Sequence, residues 1–229
     1  MITRSKVNKK VFNTKALSAS HTDGYATWGK RLFDIVFAAS VLFIFSPVYI
    51  LIALIVAASS HGSILYIHER VGLNNQYFKC IKFRTMIAQA DQVLEDYLNS
   101  CPVSRAEYEA SFKLRHDPRI TKIGKFLRKT SLDELPQFWN VLVGDMSVVG
   151  PRPLVQAELI KYGKDIDKVL SVRPGIAGLW QVSGRNDIPY AQRVKMDASY
   201  VRLMSFILDL QLIFKTLLVV IFPKNNGAY

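Results

Sequence analysis

The residues best equipped for chemistry stand together in Arg128-Lys129-Thr130-Ser131-Leu132-Asp133-Glu134-Leu135-Pro136-Gln137. Proline is tolerated only in the first turn of a helix, so Pro136 predicts that a helix begins near Asp133. Two carboxylates then sit at a helix N-terminus, directly after a basic pair. Ser131 and Glu134 also have capping-box spacing, and acids favour first turns for purely structural reasons. The chemical alternative is that free N–H groups and the Arg128-Lys129 pair attract phosphate. There an aspartate stays ionised and nucleophilic, and a glutamate can hold Mg²⁺ beside a pyrophosphate.

Other basic segments are weaker alone. In Gly150-Pro151-Arg152-Pro153 two prolines restrict the backbone and aim a guanidinium, which grips phosphate by a bidentate fork. A rigid turn with a solvated arginine satisfies the same residues. Lys82-Phe83-Arg84-Thr85 ends a hairpin and sets basic residues on alternating faces. Arg173-Pro174-Gly175 and Ser183-Gly184-Arg185-Asn186 bracket a loop that could clamp a nucleotide diphosphate, form ordinary polar turns or contact lipid headgroups. Trp180 beside it can stack on a base or simply pack.

Several elements must position these groups. Ile35 to Ala58 contains no charged residue. As a helix it is about 36 Å long, enough for a bilayer core of about 30 Å. Ser46-Pro47 lies at its middle, where proline breaks or kinks a helix. The Ser46 hydroxyl can serve one of the carbonyls freed near Leu42 and Phe43. Lys30 and Arg31 precede the run, and Arg70, Lys79, Lys82 and Arg84 follow it, so both flanks prefer the cytoplasm. That symmetry favours a helix that bends and returns over a kinked spanning helix. Residues 1–29 form a basic tail, expected to be flexible and either near anionic lipid or a plain solvated terminus; up to Arg31 there are seven Lys/Arg against one acid, Asp23. A catalytic domain follows over 59–229. Its expected hairpin is Ile64–Val71 with Tyr77–Thr85. Helices are expected at 86–99, 105–114, 120–129, 134–143 and 154–170, and a last helical region at 189–222. Asp209 and Lys215 interrupt that last region, so an interfacial helix suits it better than a span. The fold class is α+β, mostly α.

Composition narrows the partners. Half of the 229 residues are hydrophobic, mean hydropathy is +0.14, and net charge is +12. Apolar and basic residues are segregated along the chain, which favours a membrane over nucleic acid. Cys80 and Cys101 form no Cys-x-x-Cys motif, and the four histidines lack zinc spacing. Neither a phosphate-loop motif nor a dinucleotide glycine fingerprint occurs.

In order, these pieces resemble the bacterial sugar transferase family, the monotopic polyprenyl-phosphate phosphoglycosyl transferases. The resemblance runs from about Lys30 to the C-terminus. It rests on Lys30-Arg31 with Asp34, Ser46-Pro47, Lys82 to Met86, Ser131 to Gln137, Gly144 to Pro153 and Arg173 to Asn186. The Trp180-Gln181-Val182-Ser183-Gly184-Arg185-Asn186 form looks most like exopolysaccharide initiators that transfer galactose 1-phosphate, with glucose 1-phosphate users as close neighbours. Larger members carry a multi-span region for which this chain has no room.

The resemblance implies a re-entrant membrane helix broken at Ser46-Pro47, a cytoplasmic catalytic domain at the bacterial inner membrane, and dependence on Mg²⁺. It implies that Asp133 is the nucleophile and Glu134 the metal ligand. Arg128, Arg152 and Arg185 contact phosphate or nucleotide, and Lys82 joins them less firmly. The implied partners are a UDP-sugar, undecaprenyl phosphate and anionic lipids, with no nucleic acid and with a homodimer left open. A non-enzymatic membrane scaffold of a polysaccharide machine is the alternative, and UMP release distinguishes the two.

Overall fold

A computed structural model describes residues 28–59, 61–111, 114 and 116–221. Nearly all of the basic tail therefore lies outside the described residues. The apolar run forms two helices, α1 (Lys30–Ile44) and α2 (Ser46–Ser59), bent by 63°. Pro47 has no N–H to give Phe43, and the Ser46 hydroxyl donates to the Phe43 carbonyl instead at 2.9 Å. Among the described residues no single helix is long and apolar enough to cross a membrane, although the bent pair passes that test together.

The foot of α1 is fastened by polar groups. Arg31 donates a fork to the carbonyls of Val141 (2.6 Å) and Leu142 (2.9 Å), which end a later helix and need donors. Asp34 accepts from the Ser147 hydroxyl at 3.0 Å and the Val148 N–H at 2.9 Å. Lys30 pairs with buried Asp209. Thus Asp209, expected to break an apolar surface, instead points inward and ties the last helix to the first.

The hairpin follows closely as expected, with β1 (Leu65–Val71) antiparallel to β2 (Tyr77–Phe83). Asn74 and Asn75 take left-handed conformations in its connection, a conformation asparagine tolerates. Helices α3 (Ala90–Ser100), α4 (Pro102–Ser111) and α5 (Lys122–Thr130) come next. After α6 (Gln137–Val143), strand β3 (Ser147–Val149) pairs in parallel with β4 (Gly175–Ala177), a small sheet the sequence reading did not include.

Two expected helices are broken. Instead of one helix over 154–170 there are single turns, including α7 (Leu159–Tyr162) and α8 (Ile166–Val169). Gly163 between them has φ of +50° and stops helix propagation. The last region divides at Met204-Ser205 into α9 (Tyr190–Leu203) and α10 (Phe206–Ile221). The main core joins α1, α6, both small-sheet strands, α9 and α10 through residues such as Ala38, Val141, Met146, Val149, Tyr200 and Leu212. A second cluster packs Ile52 and Val56 of α2 against Phe83 and Leu127.

Candidate active site

Asp133 and Glu134 do not open an α-helix. They occupy a 3₁₀ turn, Leu132–Glu134, and α6 starts only at Gln137 with Pro136 before it. Ser131 does not cap that turn; it is left-handed (φ 57°) and its hydroxyl accepts from Arg185 Nη2 at 3.1 Å. The capping-box reading is thereby replaced by a bridge between two loops. Beneath the turn, the Tyr49 hydroxyl of α2 donates to the Leu135 carbonyl at 2.6 Å. The bent helix pair therefore helps to set the height of the carboxylates.

Each cation arrives from a different element. Lys82, at the end of β2, meets Glu134 Oε1 at 2.6 Å. Arg84 lies beyond the strand and donates to the Ser63 carbonyl, away from the carboxylates. Arg128, on α5, donates through Nε to Thr85 Oγ1 at 2.9 Å. That contact requires α5 to approach the chain at Thr85 closely, and a Cβ on Gly124 would sit 1.9 Å from the Thr85 carbonyl oxygen. Lys129 is exposed. Arg152 follows β3, where Gly150 and Gly175 let two backbones touch; a Cβ on Gly175 would lie 1.9 Å from Gly150 N. Its guanidinium carbon is 5.8 Å from the Trp180 ring centroid. Arg173, a clamp candidate from sequence, donates instead to the Gly144 carbonyl at 2.8 Å.

One cavity of about 860 Å³ collects Lys82, Arg128, Asp133, Glu134, Arg152 and Arg185. Sequence reasoning missed Arg70 and Arg119 as site residues, although both also line it. Arg119 is held by both Asp117 oxygens, at 2.8 and 2.6 Å. Their only sequence signal is charge; the partners of Arg70, Pro153 and Glu158, come from a distant segment, whereas Arg119 is paired two residues away. The cavity continues between apolar residues of α1, α2 and α10, among them Phe37, Val41, Val48, Leu217 and Val220.

Burial pushes the Asp133 carboxyl up to about 6. Lys82 opposes this, Glu134 adds to it, and Arg128 opposes it in turn. Here desolvation outweighs the favourable charges, contrary to the expectation that the setting simply favours ionisation. The group is still mostly ionised at neutral pH. Among the described residues no group of three His, Cys, Asp or Glu could hold a metal ion. The Asp133–Glu134 pair nevertheless suits Mg²⁺, which is often held by one or two carboxylates plus substrate phosphates.

A buried carboxylate thus shares one cavity with several cations and with the apolar helix pair. The chain belongs to the bacterial sugar transferase family, whose model matches residues 25–223. It is 50% identical over 200 residues to a UDP-galactose-lipid carrier transferase of Erwinia amylovora, covering 87% of this chain and 41% of that protein. It is 49% identical over 200 residues to an undecaprenyl-phosphate galactose phosphotransferase of Salmonella typhimurium, with the same coverage of each. The exopolysaccharide production protein ExoY of Rhizobium meliloti is 48% identical over 197 residues, 86% of this chain and 87% of that protein. The chain thus spans about two fifths of the first two relatives and most of the third.

Proposed function

We propose that this protein transfers a hexose 1-phosphate from a UDP-sugar to undecaprenyl phosphate, releasing UMP and starting an exopolysaccharide or related glycoconjugate. Galactose is the first choice of hexose, as the names of two relatives suggest, and glucose the second. The observation that carries this reading is a continuous cavity joining Asp133 and its cations to the apolar faces of α1, α2 and α10. A water-soluble pyrophosphate and a lipid phosphate can use such a space in turn.

In this reading an Asp133 carboxylate oxygen attacks the β-phosphorus of the donor. The bond from that phosphorus to the bridging oxygen breaks, and UMP leaves with the electron pair. A polyprenyl phosphate oxygen then attacks the same phosphorus, the bond to Asp133 breaks, and the carboxylate is restored. Arg128, Arg152, Arg185 and Lys82 bind and orient the phosphates, a role that suits fixed forks and point charges. Glu134 would hold Mg²⁺ with the donor phosphates, and that ion supplies charge neutralisation. Burial of Asp133 limits water access to the phosphorus.

The bend at Ser46-Pro47 supports a re-entrant helix that leaves the catalytic domain on the cytoplasmic face of the inner membrane. α10 fits an interfacial role, because Phe206, Ile207, Leu210, Phe214, Leu217 and Ile221 are exposed while Asp209 is buried. Anionic lipid would attract the basic flanks.

UMP release should be measured over a panel of UDP-sugars with undecaprenyl phosphate, with and without Mg²⁺. Sustained release over many turnovers, confined to one or two UDP-hexoses and dependent on the lipid and the ion, is the expected result. No release from any donor would make the chain a scaffold.

A further inference from the structure

Behind the cation ring lies a carboxylate that the reaction above does not use. Asp197, on α9, is 0% exposed. The Tyr162 hydroxyl of α7 donates to its Oδ2 at 2.9 Å. Its other oxygen, Oδ1, and the buried Trp180 Nε1 lack a partner at full hydrogen-bond geometry. Burial drives the Asp197 carboxyl up to about 7, opposed by the Tyr162 hydroxyl, the Trp180 indole, and the charge and backbone N–H of Arg152. One side chain therefore borders three segments: the Pro151–Pro153 loop, α7, and the loop carrying Trp180.

Those segments carry two groups lining the cavity, Arg152 and Trp180. Arg193, also on α9, places its guanidinium carbon 5.0 Å from the Trp180 centroid and donates through Nε to the Ile188 carbonyl at 2.8 Å. Two guanidinium groups thus lie beside the indole, and of these Arg152 acts by its charge on the carboxylate. Leaving a carboxylate buried is expensive unless other groups repay it. A site that must hold Arg152 against the pull of a mobile pyrophosphate gains from such a fixed counter-charge, as supporting groups around functional side chains generally do.

We propose that Asp197 is a positioning residue that fixes Arg152 and Trp180 for a nucleoside diphosphate-sugar, acting on donor binding rather than on the transfer step. This rests on the donor assignment made above. Asp197→Asn keeps the shape and can still accept from Tyr162, but it removes the counter-charge that the carboxylate supplies as pH rises through about 7, so the comparison is made at pH 8. Tyr162→Phe removes only the hydroxyl that orients the carboxylate.

The test measures KM for the UDP-sugar, kcat, and the amplitude of the UMP burst in both variants, with UMP binding titrated separately by calorimetry. The expected result for Asp197→Asn is a KM about tenfold higher, equal to about 1.4 kcal/mol, with burst amplitude and kcat within about twofold of the parent. Tyr162→Phe should move KM in the same direction by less. An unchanged KM in both variants, or a lost burst amplitude at unchanged KM, would overturn the proposal and leave Asp197 as a fold residue. UMP affinity needs no turnover. Weaker UMP binding in Asp197→Asn, beside a parent that releases no UMP from any donor, would retain the positioning role and discard the transfer reading instead.

Discussion

Replacing Lys82 by methionine removes the charge that most opposes protonation of Asp133 while keeping an apolar stem of similar length. The Lys82 side chain is 22% exposed, so its charge is only partly screened. Loss of an opposite charge at such range raises a carboxyl pKa by about 1 unit or more, or about 1.4 kcal/mol. From about 6, the Asp133 value should move to about 7 or above. At pH 6 the ionised fraction then falls from about one half to about one tenth, a loss of about fivefold, whereas at pH 8 both proteins are about nine-tenths ionised or more. Lys82→Met should also slow the reaction at every pH, because the proposed mechanism gives Lys82 a phosphate contact. The informative quantity is therefore the ratio of single-turnover UMP release at pH 8 to that at pH 6, measured with donor and without lipid. That ratio should rise by about fivefold in the variant. Profiles that superimpose after scaling would show that Lys82 does not tune the nucleophile.

Three further outcomes follow from the same contacts. Pro47→Ala restores an N–H for the Phe43 carbonyl, so α1 and α2 should straighten; cysteine labelling on either side of the pair should then report opposite membrane faces, whereas the parent reports one face. Arg152→Lys keeps charge but loses the fork, and kcat/KM should fall about tenfold or more, so near-normal turnover would reduce Arg152 to a turn residue. Asp133 and Asp197 both have raised folded values, so the folded protein keeps protons that the unfolded chain has lost above about pH 4. Their contribution is fully present below that pH and is lost as pH rises toward 7. Tm in detergent should therefore fall across that window, and the fall should be smaller in Asp197→Asn; an equal slope in both proteins would refute the assignment to Asp197.

Much of this was legible in the chain because it was written locally. The break at Ser46-Pro47 and the hairpin depend on residues adjacent in sequence. All six phosphate and catalytic candidates also proved to line one cavity. Failures occurred where distant segments decide. Ser131 has the residue type and spacing of a cap, but Arg185 takes its hydroxyl. Asp209 looks like an interruption until Lys30 is brought to it. The parallel pairing of β3 with β4 rests on three residues each, too short for periodicity to show. Arg70, Arg119 and Asp197 carry no motif, and only packing reveals what they face.

The central claim is a covalent phosphosugar on Asp133, and intact-protein mass spectrometry tests it most directly. The parent protein, incubated with its UDP-sugar and Mg²⁺ but no lipid acceptor, should gain the mass of one hexose phosphate and release about one UMP per site. Adding undecaprenyl phosphate should discharge that mass, and Asp133→Asn should never acquire it. Turnover at near-parental rate in Asp133→Asn, with no added mass in either protein, would contradict the account and point to direct transfer between the two substrates.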